Sequence, residues 1–271
     1  MRKAAARGVS SRVKTATQSR FTSRFHYAED SNRPLEILAF LTPLVAFYEC
    51  GLVFWLRHDE MVLTNRAHSG LVNFFRLFGV RAEDLHISAM SLPSVALILT
   101  LLIWHIVAGL PWIIRWRTIA FMWMESFALA APLLVVAAVI GRAHLLMGAN
   151  QVSEDSIRSL DFVGRASMAA GAGIYEELLF RMALMGGLHM LLFDVAKMKE
   201  RNAWLIALVV SSILFTVYHP IRDITGALQW GRVIFLMLAG GWFGLVFQLR
   251  GFGIAAGAHV AYDAAALLFT S

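Results

Sequence analysis

The chain has little charge and almost no cysteine. Of its 271 residues, 15% are charged and 58% are hydrophobic, a balance that excludes an ordinary soluble domain and points to an integral membrane protein. The single cysteine, Cys50, excludes an internal disulfide and any cysteine-rich zinc or iron–sulfur site. Lying within an apolar run, it reads as a small buried hydrophobe. No segment alternates like an outer-membrane barrel strand. No Pro/Gly/Ser-rich linker marks a second domain, and there is no internal repeat. A cleavable secretory signal is not visible, because the first apolar run starts late and is too long for one.

Apolar runs long enough to cross a bilayer fall near 35–56, 91–114, 119–141, 166–192, 203–220, 233–249 and 253–270. Without water to satisfy backbone groups in lipid, these must be helices. The fold class is therefore all-α, a polytopic transmembrane bundle of seven to eight spans. Residues 1–34 form a basic tail and residues 35–271 a single membrane domain. The eighth span would be 61–80, "MVLTNRAHSGLVNFFRLFGV", which reads equally as an amphipathic helix lying in the interface. Charge does not choose between the two counts, but seven spans would set His219 near the outer surface and His259 nearer the inner one, so eight are favoured. The tail carries eight Lys or Arg against Glu29 and Asp30, which places the N-terminus in the cytoplasm rather than on nucleic acid. The same composition also fits an organelle transit peptide. Trp104, Trp112, Trp116 and Trp123 suggest an interfacial belt, with Arg115 and Arg117 among the headgroups. Gly240, Gly241 and Gly244 suggest close helix packing.

Inside the spans there is one base, Arg181, against six acids, Glu36, Glu49, Glu125, Glu176, Glu177 and Asp263. Ionisable residues at that depth are expensive and normally face partners or a cavity. In "GAGIYEELLFR", residues 171–181, Glu177 and Arg181 stand four apart on one helix face and can neutralise each other. Glu176 is turned about 100° away, leaving one carboxylate without that cation. A structural ion pair and a proton-shuttling site explain this stretch equally well from spacing. Elsewhere, "LFTVYHP" sets Phe215 and His219 four apart, and "GAHVAYDAAA" sets His259 and Asp263 four apart, offset from the small-residue stripe Gly253, Gly257, Ala261 and Ala265. Three spans thus bring polar pairs at helical spacing to an apolar background. Ser211, Ser212, His105 and His189 read as structural, whereas Glu49 and Glu125 are candidates for lining a channel or proton path.

Other membrane-protease signatures are missing, with no H-E-x-x-H, G-x-S-x-G or G-x-G-D. The set E-E-x-x-x-R (Glu176, Glu177, Arg181), F-x-x-x-H (Phe215, His219) and H-x-x-x-D (His259, Asp263) instead resembles the CPBP family, the CAAX proteases and bacteriocin-processing enzymes also called Abi proteins. The resemblance covers 166–270, in the family's motif order. It implies an intramembrane glutamate-dependent endopeptidase whose catalytic core is built from the last four spans. Within it, Glu176 matches the glutamate that activates water and His219 the histidine assisting it. His259 matches the proposed oxyanion stabiliser, and Glu177 and Arg181 the supporting pair. Asp263 stands where the eukaryotic prenyl proteases have asparagine, and an ionised Asp cannot donate a hydrogen bond. Orienting His259 is the alternative role for it.

No cofactor is expected, although two histidines and a glutamate also suit zinc with an open position. The expected partners are a protein or peptide substrate, possibly membrane-anchored, and the lipid bilayer, with no nucleic acid. The expected location is the bacterial inner membrane. A non-catalytic scaffold and a proton-coupled transporter are the competing functions. The transporter lacks the repeats and broken helix pairs expected of that class.

Overall fold

The computed structural model describes residues 26–58, 61–80, 91–140, 160–223 and 225–270. In chain order these form α1 (Tyr27–Asp30), α2 (Pro34–Phe54), a small hairpin of β1 (Arg57–His58) and β2 (Met61–Val62), α3 (Arg66–Leu77), α4 (Leu92–Val107) and α5 (Trp116–Ile140). There follow α6 (Phe162–Val195), α7 (Glu200–Tyr218), α8 (Trp230–Arg250) and α9 (Phe252–Thr270). Residues 1–25 of the basic tail lie outside the described residues. The hairpin pairs Arg57 with Val62 and His58 with Met61.

The termini of these helices follow from local chemistry. Pro34 opens α2, where a missing N–H is harmless. Asn65 caps α3 by accepting from the His68 N–H at 2.8 Å, and Asp161 caps α6 by accepting from the Gly164 N–H at 2.7 Å. Gly251, at φ 81°, ends α8 in a conformation open chiefly to glycine.

Among the described residues, α2, α5, α6, α7 and α8 are long and apolar enough to cross a membrane. The shorter apolar α4 and the 19-residue α9 complete the bundle. Many outward side chains are apolar and uncovered, including Val107 and Val139 at 80% and Leu249 at 64%. Patches of that kind need lipid rather than water around them. The 12-residue α3 is about 18 Å long, too short for a core of about 30 Å. It buries Ala67 and His68 while Phe74, Leu77 and Phe78 stay exposed, as an interfacial amphipathic helix does.

α9 runs through the centre, packing chiefly on α5 and α6. Its small-residue stripe permits this. A side chain at Gly257 would meet the Phe40 ring and the Ser126 hydroxyl at 2.5 Å. Gly240 and Gly244 likewise bring α8 against α7, at Ser212 and Leu208. Gly241 does not share this role, since a Cβ there would only touch the Ser212 hydroxyl at 4.0 Å.

Several sequence expectations are corrected. Cys50 is exposed, not buried, and stands in the wall of an apolar crevice of about 390 Å³ between α2 and α4, with Leu41, Val45, Leu97 and Leu101. Trp123 belongs to no belt, because its ring packs on Phe40 at 4.8 Å. Arg115 pairs with Glu36 at 2.9 Å and Asp30 at 3.5 Å instead of standing free in the headgroups. Glu125 pairs with Arg250 and accepts from the Tyr27 hydroxyl, so α1 is fastened across one end of the bundle. Glu49 accepts from the backbone N–H and hydroxyl of Ser91 and from Ser94, capping the start of α4. Glu49 also borders the crevice between α2 and α4. Both acids hold helices together.

His68 gives this fold a pH dependence. It is buried beside Tyr48, whose hydroxyl lies 3.1 Å from its Nδ1. Burial pulls its pKa from 6.5 to about 4, the Glu49 carboxylate opposing. The unfolded chain therefore takes up this proton before the folded one. The stability that neutral His68 supplies is whole above about pH 6.5 and is lost as pH falls toward 4. In detergent, the thermal midpoint should fall between pH 7 and pH 5, and His68→Gln should flatten that part of the profile. An unchanged slope in the variant would show that His68 is not the group responsible.

Candidate active site

The three polar pairs read from the sequence converge inside the bundle. Glu176 and Glu177 close the α-helical part of α6, and from Leu178 to Met185 the helix widens to a π turn, a distortion often found at functional sites. Arg181 lies in that turn and is fully buried, as is Glu177. The Arg181 Nε stands 3.2 Å from the Glu177 Oε2, close enough for strong charge attraction but without hydrogen-bond alignment, since neither atom has a hydrogen-bond partner. Arg181 also donates to the Gly240 carbonyl at 3.3 Å and sits over the Phe215 ring at 4.7 Å. One guanidinium thus joins α6, α7 and α8.

His219 terminates α7, where the backbone turns extended. Its Nδ1 lies 2.8 Å from the Phe215 carbonyl. A carbonyl only accepts, so Nδ1 carries the proton. The other nitrogen, Nε2, then faces the Glu176 Oε2 at 3.4 Å. Two acceptors face each other across this gap, which suits a proton shared between them or a water that donates to both from the cavity side.

His259, in the middle of α9, is oriented differently from the sequence expectation. Its Nδ1 is 2.9 Å from the Glu177 Oε1, whereas its Nε2 stands 3.7 Å from the Asp263 Oδ2. The carboxylate that orients His259 is therefore Glu177, with Asp263 a looser ionic neighbour one turn on. Phe243 stacks on the imidazole at 4.4 Å and Phe215 packs edgewise at 6.1 Å, leaving Nε2 the working nitrogen.

Glu176, Phe215, His219, His259 and Asp263 all line one cavity of about 30 Å³, space for about one water. Seven alternating spans would set His219 and His259 at different depths, yet His219 reaches Glu176 and His259 reaches the adjacent Glu177. The 34-residue α6 is far longer than a bilayer core requires, so α7 starts beyond it and ends beside Glu176.

Sequence reasoning missed Arg66, which donates to the Tyr218 carbonyl and packs over the Tyr218 ring at 4.5 Å. The amphipathic α3 thereby grips the residue preceding His219. Tyr262, which also lines the cavity, was missed as well, although its position three residues after His259 signals a shared face. Ser211 is structural as expected, its hydroxyl donating to the Phe180 carbonyl at 2.9 Å. So is His189, stacked on Trp204 at 3.9 Å.

Among the described residues, no group of three or more His, Cys, Asp or Glu side chains is arranged to hold a metal ion.

Removing one partner of the buried pair should be costly. Arg181→Ala strands the Glu177 carboxylate and should lower stability by about 3–5 kcal/mol, read as a fall in the thermal midpoint. Replacing both together, Arg181→Met with Glu177→Gln, should recover part of it.

Comparison with known proteins supplies the last observation. Residues 158–265 match the family described as type II CAAX prenyl endopeptidase Rce1-like, consistent with the CPBP group that the motifs resemble. Neither the curated proteins nor the solved structures give a match.

Proposed function

We propose that this integral membrane protein is a CAAX-type intramembrane endopeptidase that uses Glu176 to activate water. The observation that carries the proposal is the Glu176–His219 pair, 3.4 Å apart, on a cavity with space for about one water. A water there donates to Glu176, and His219, its Nδ1 proton held by Phe215, shares the proton through Nε2. As the water oxygen bonds to the substrate carbonyl carbon, its proton passes to Glu176. The carbonyl oxygen becomes an oxyanion, which the His259 Nε2–H stabilises. Collapse of the intermediate breaks the C–N bond, the held proton goes to the leaving amine, and a carboxylate and an amine depart.

Asp263 and Glu177 flank His259. Phe215 separates the two imidazoles and supplies the carbonyl that fixes the His219 tautomer. The substrate is a protein or peptide, possibly membrane-anchored. The protein lies in the bacterial inner membrane with its N-terminus in the cytoplasm, the orientation favoured by the basic tail.

Glu176→Gln should abolish cleavage of a prenylated CAAX peptide, by 10³-fold or more on the scale of about 4 kcal/mol, while the thermal midpoint stays near that of wild type. Cleavage at the normal rate would remove Glu176 as the base. Chelators test the second point. Activity should survive ethylenediaminetetraacetate and phenanthroline, and loss that zinc restores would replace this mechanism with a metal-dependent one.

A further inference from the structure

Tyr262 holds a buried hydroxyl that nothing in the fold uses. The residue is 3% exposed, and its hydroxyl has no hydrogen-bond partner among the described residues. Natural interiors rarely leave such a group unsatisfied, because burying it unpaired costs free energy that an apolar replacement would not. The surroundings offer no internal partner. The ring stacks on Phe235 at 5.9 Å and lies in a cluster with Phe215, Ala239 and Ala258. Yet Tyr262 lines the cavity that Glu176, His219 and His259 line. It follows His259 by three residues on α9, so the two side chains share a face.

We propose that the Tyr262 hydroxyl is a catalytic hydrogen-bond donor that, with His259, binds the oxyanion formed at the scissile carbonyl. This rests on the protease reading above and extends it. The chemistry asks for a second donor at that point. Oxyanion sites gain most from donors already aimed and already dry, and Asp263, the neighbouring polar group, only accepts when ionised. A tyrosine hydroxyl donates at neutral pH, needs no proton transfer of its own, and finds its partner only once substrate arrives. Tyr218 also carries an unpaired buried hydroxyl. It does not line the cavity, however, and its ring is occupied by Arg66 and Phe180.

The test is Tyr262→Phe, which keeps the ring and its stacking. With a fluorogenic prenylated CAAX peptide, kcat should fall about 10²–10³-fold and KM should stay within about twofold, since the donor acts on the intermediate and not on the bound substrate. A phosphinate analogue of the same peptide, which carries the tetrahedral charge, should bind the variant about 10²-fold more weakly. The thermal midpoint should hold or rise, because an unpaired hydroxyl has been removed. A merely structural tyrosine would give lower stability with unchanged kcat.

If Glu176→Gln is dead but Tyr262→Phe cuts within threefold of wild type, the donor role is overturned and the protease reading stands. If wild type neither cuts the peptide nor binds the phosphinate, both are overturned.

Discussion

A single buried carboxylate, Glu177, holds the centre of this protein together. It takes the Arg181 guanidinium on one oxygen and the His259 imidazole on the other, all in a region closed to solvent. Ions at such depth are tolerated only when partnered, so the arrangement constrains every helix that supplies a partner. Arg181 in turn reaches Gly240 on α8 and Phe215 on α7. Four helices are thereby held in relation to one carboxylate, and Glu176, the residue before it, lines the cavity and faces His219 instead. The adjacent pair divides the labour, one carboxylate fixing the frame and one kept available.

The fold was legible because lipid leaves few options. Runs of apolar residues in a nearly uncharged chain must be helices, and their positions match to within a few residues except at the end of α4, which stops at Val107 just before the positive-φ Gly109. The motif residues were legible for the same reason. A glutamate or histidine at that depth requires a partner, and Glu176, His219 and His259 were readable as a set. What spacing on one helix does not reveal is pairing between helices. The sequence shows Glu177 four residues from Arg181, and so suggests a closed pair, but the second oxygen of Glu177 belongs to His259 across the bundle. Asp263 stands at the right interval from His259 and loses the role to a nearer oxygen. The tethering roles of Glu49 and Glu125 were hidden because their partners, Ser91, Ser94, Tyr27 and Arg250, lie far along the chain.

Depth was the other misleading guide. Counting spans as if each were one bilayer thick sets His219 and His259 apart. The overlong α6 with its π turns offsets the helices around it, so the meeting point depends on stagger rather than on span number. α3 illustrates a related point. It is too short to cross, yet through Arg66 it touches the end of α7 beside His219, so the interface and the buried site share one mechanical connection.

The sole thiol has a practical consequence. Cys50 opens onto the crevice between α2 and α4, and no residue lining that crevice also lines the cavity of Glu176, His219 and His259. With no second cysteine in the sequence, a nitroxide or fluorophore attached to the unmodified protein lands at one known position on the bundle perimeter. The chain therefore carries its own attachment point for spectroscopy, one that leaves the buried polar cavity untouched.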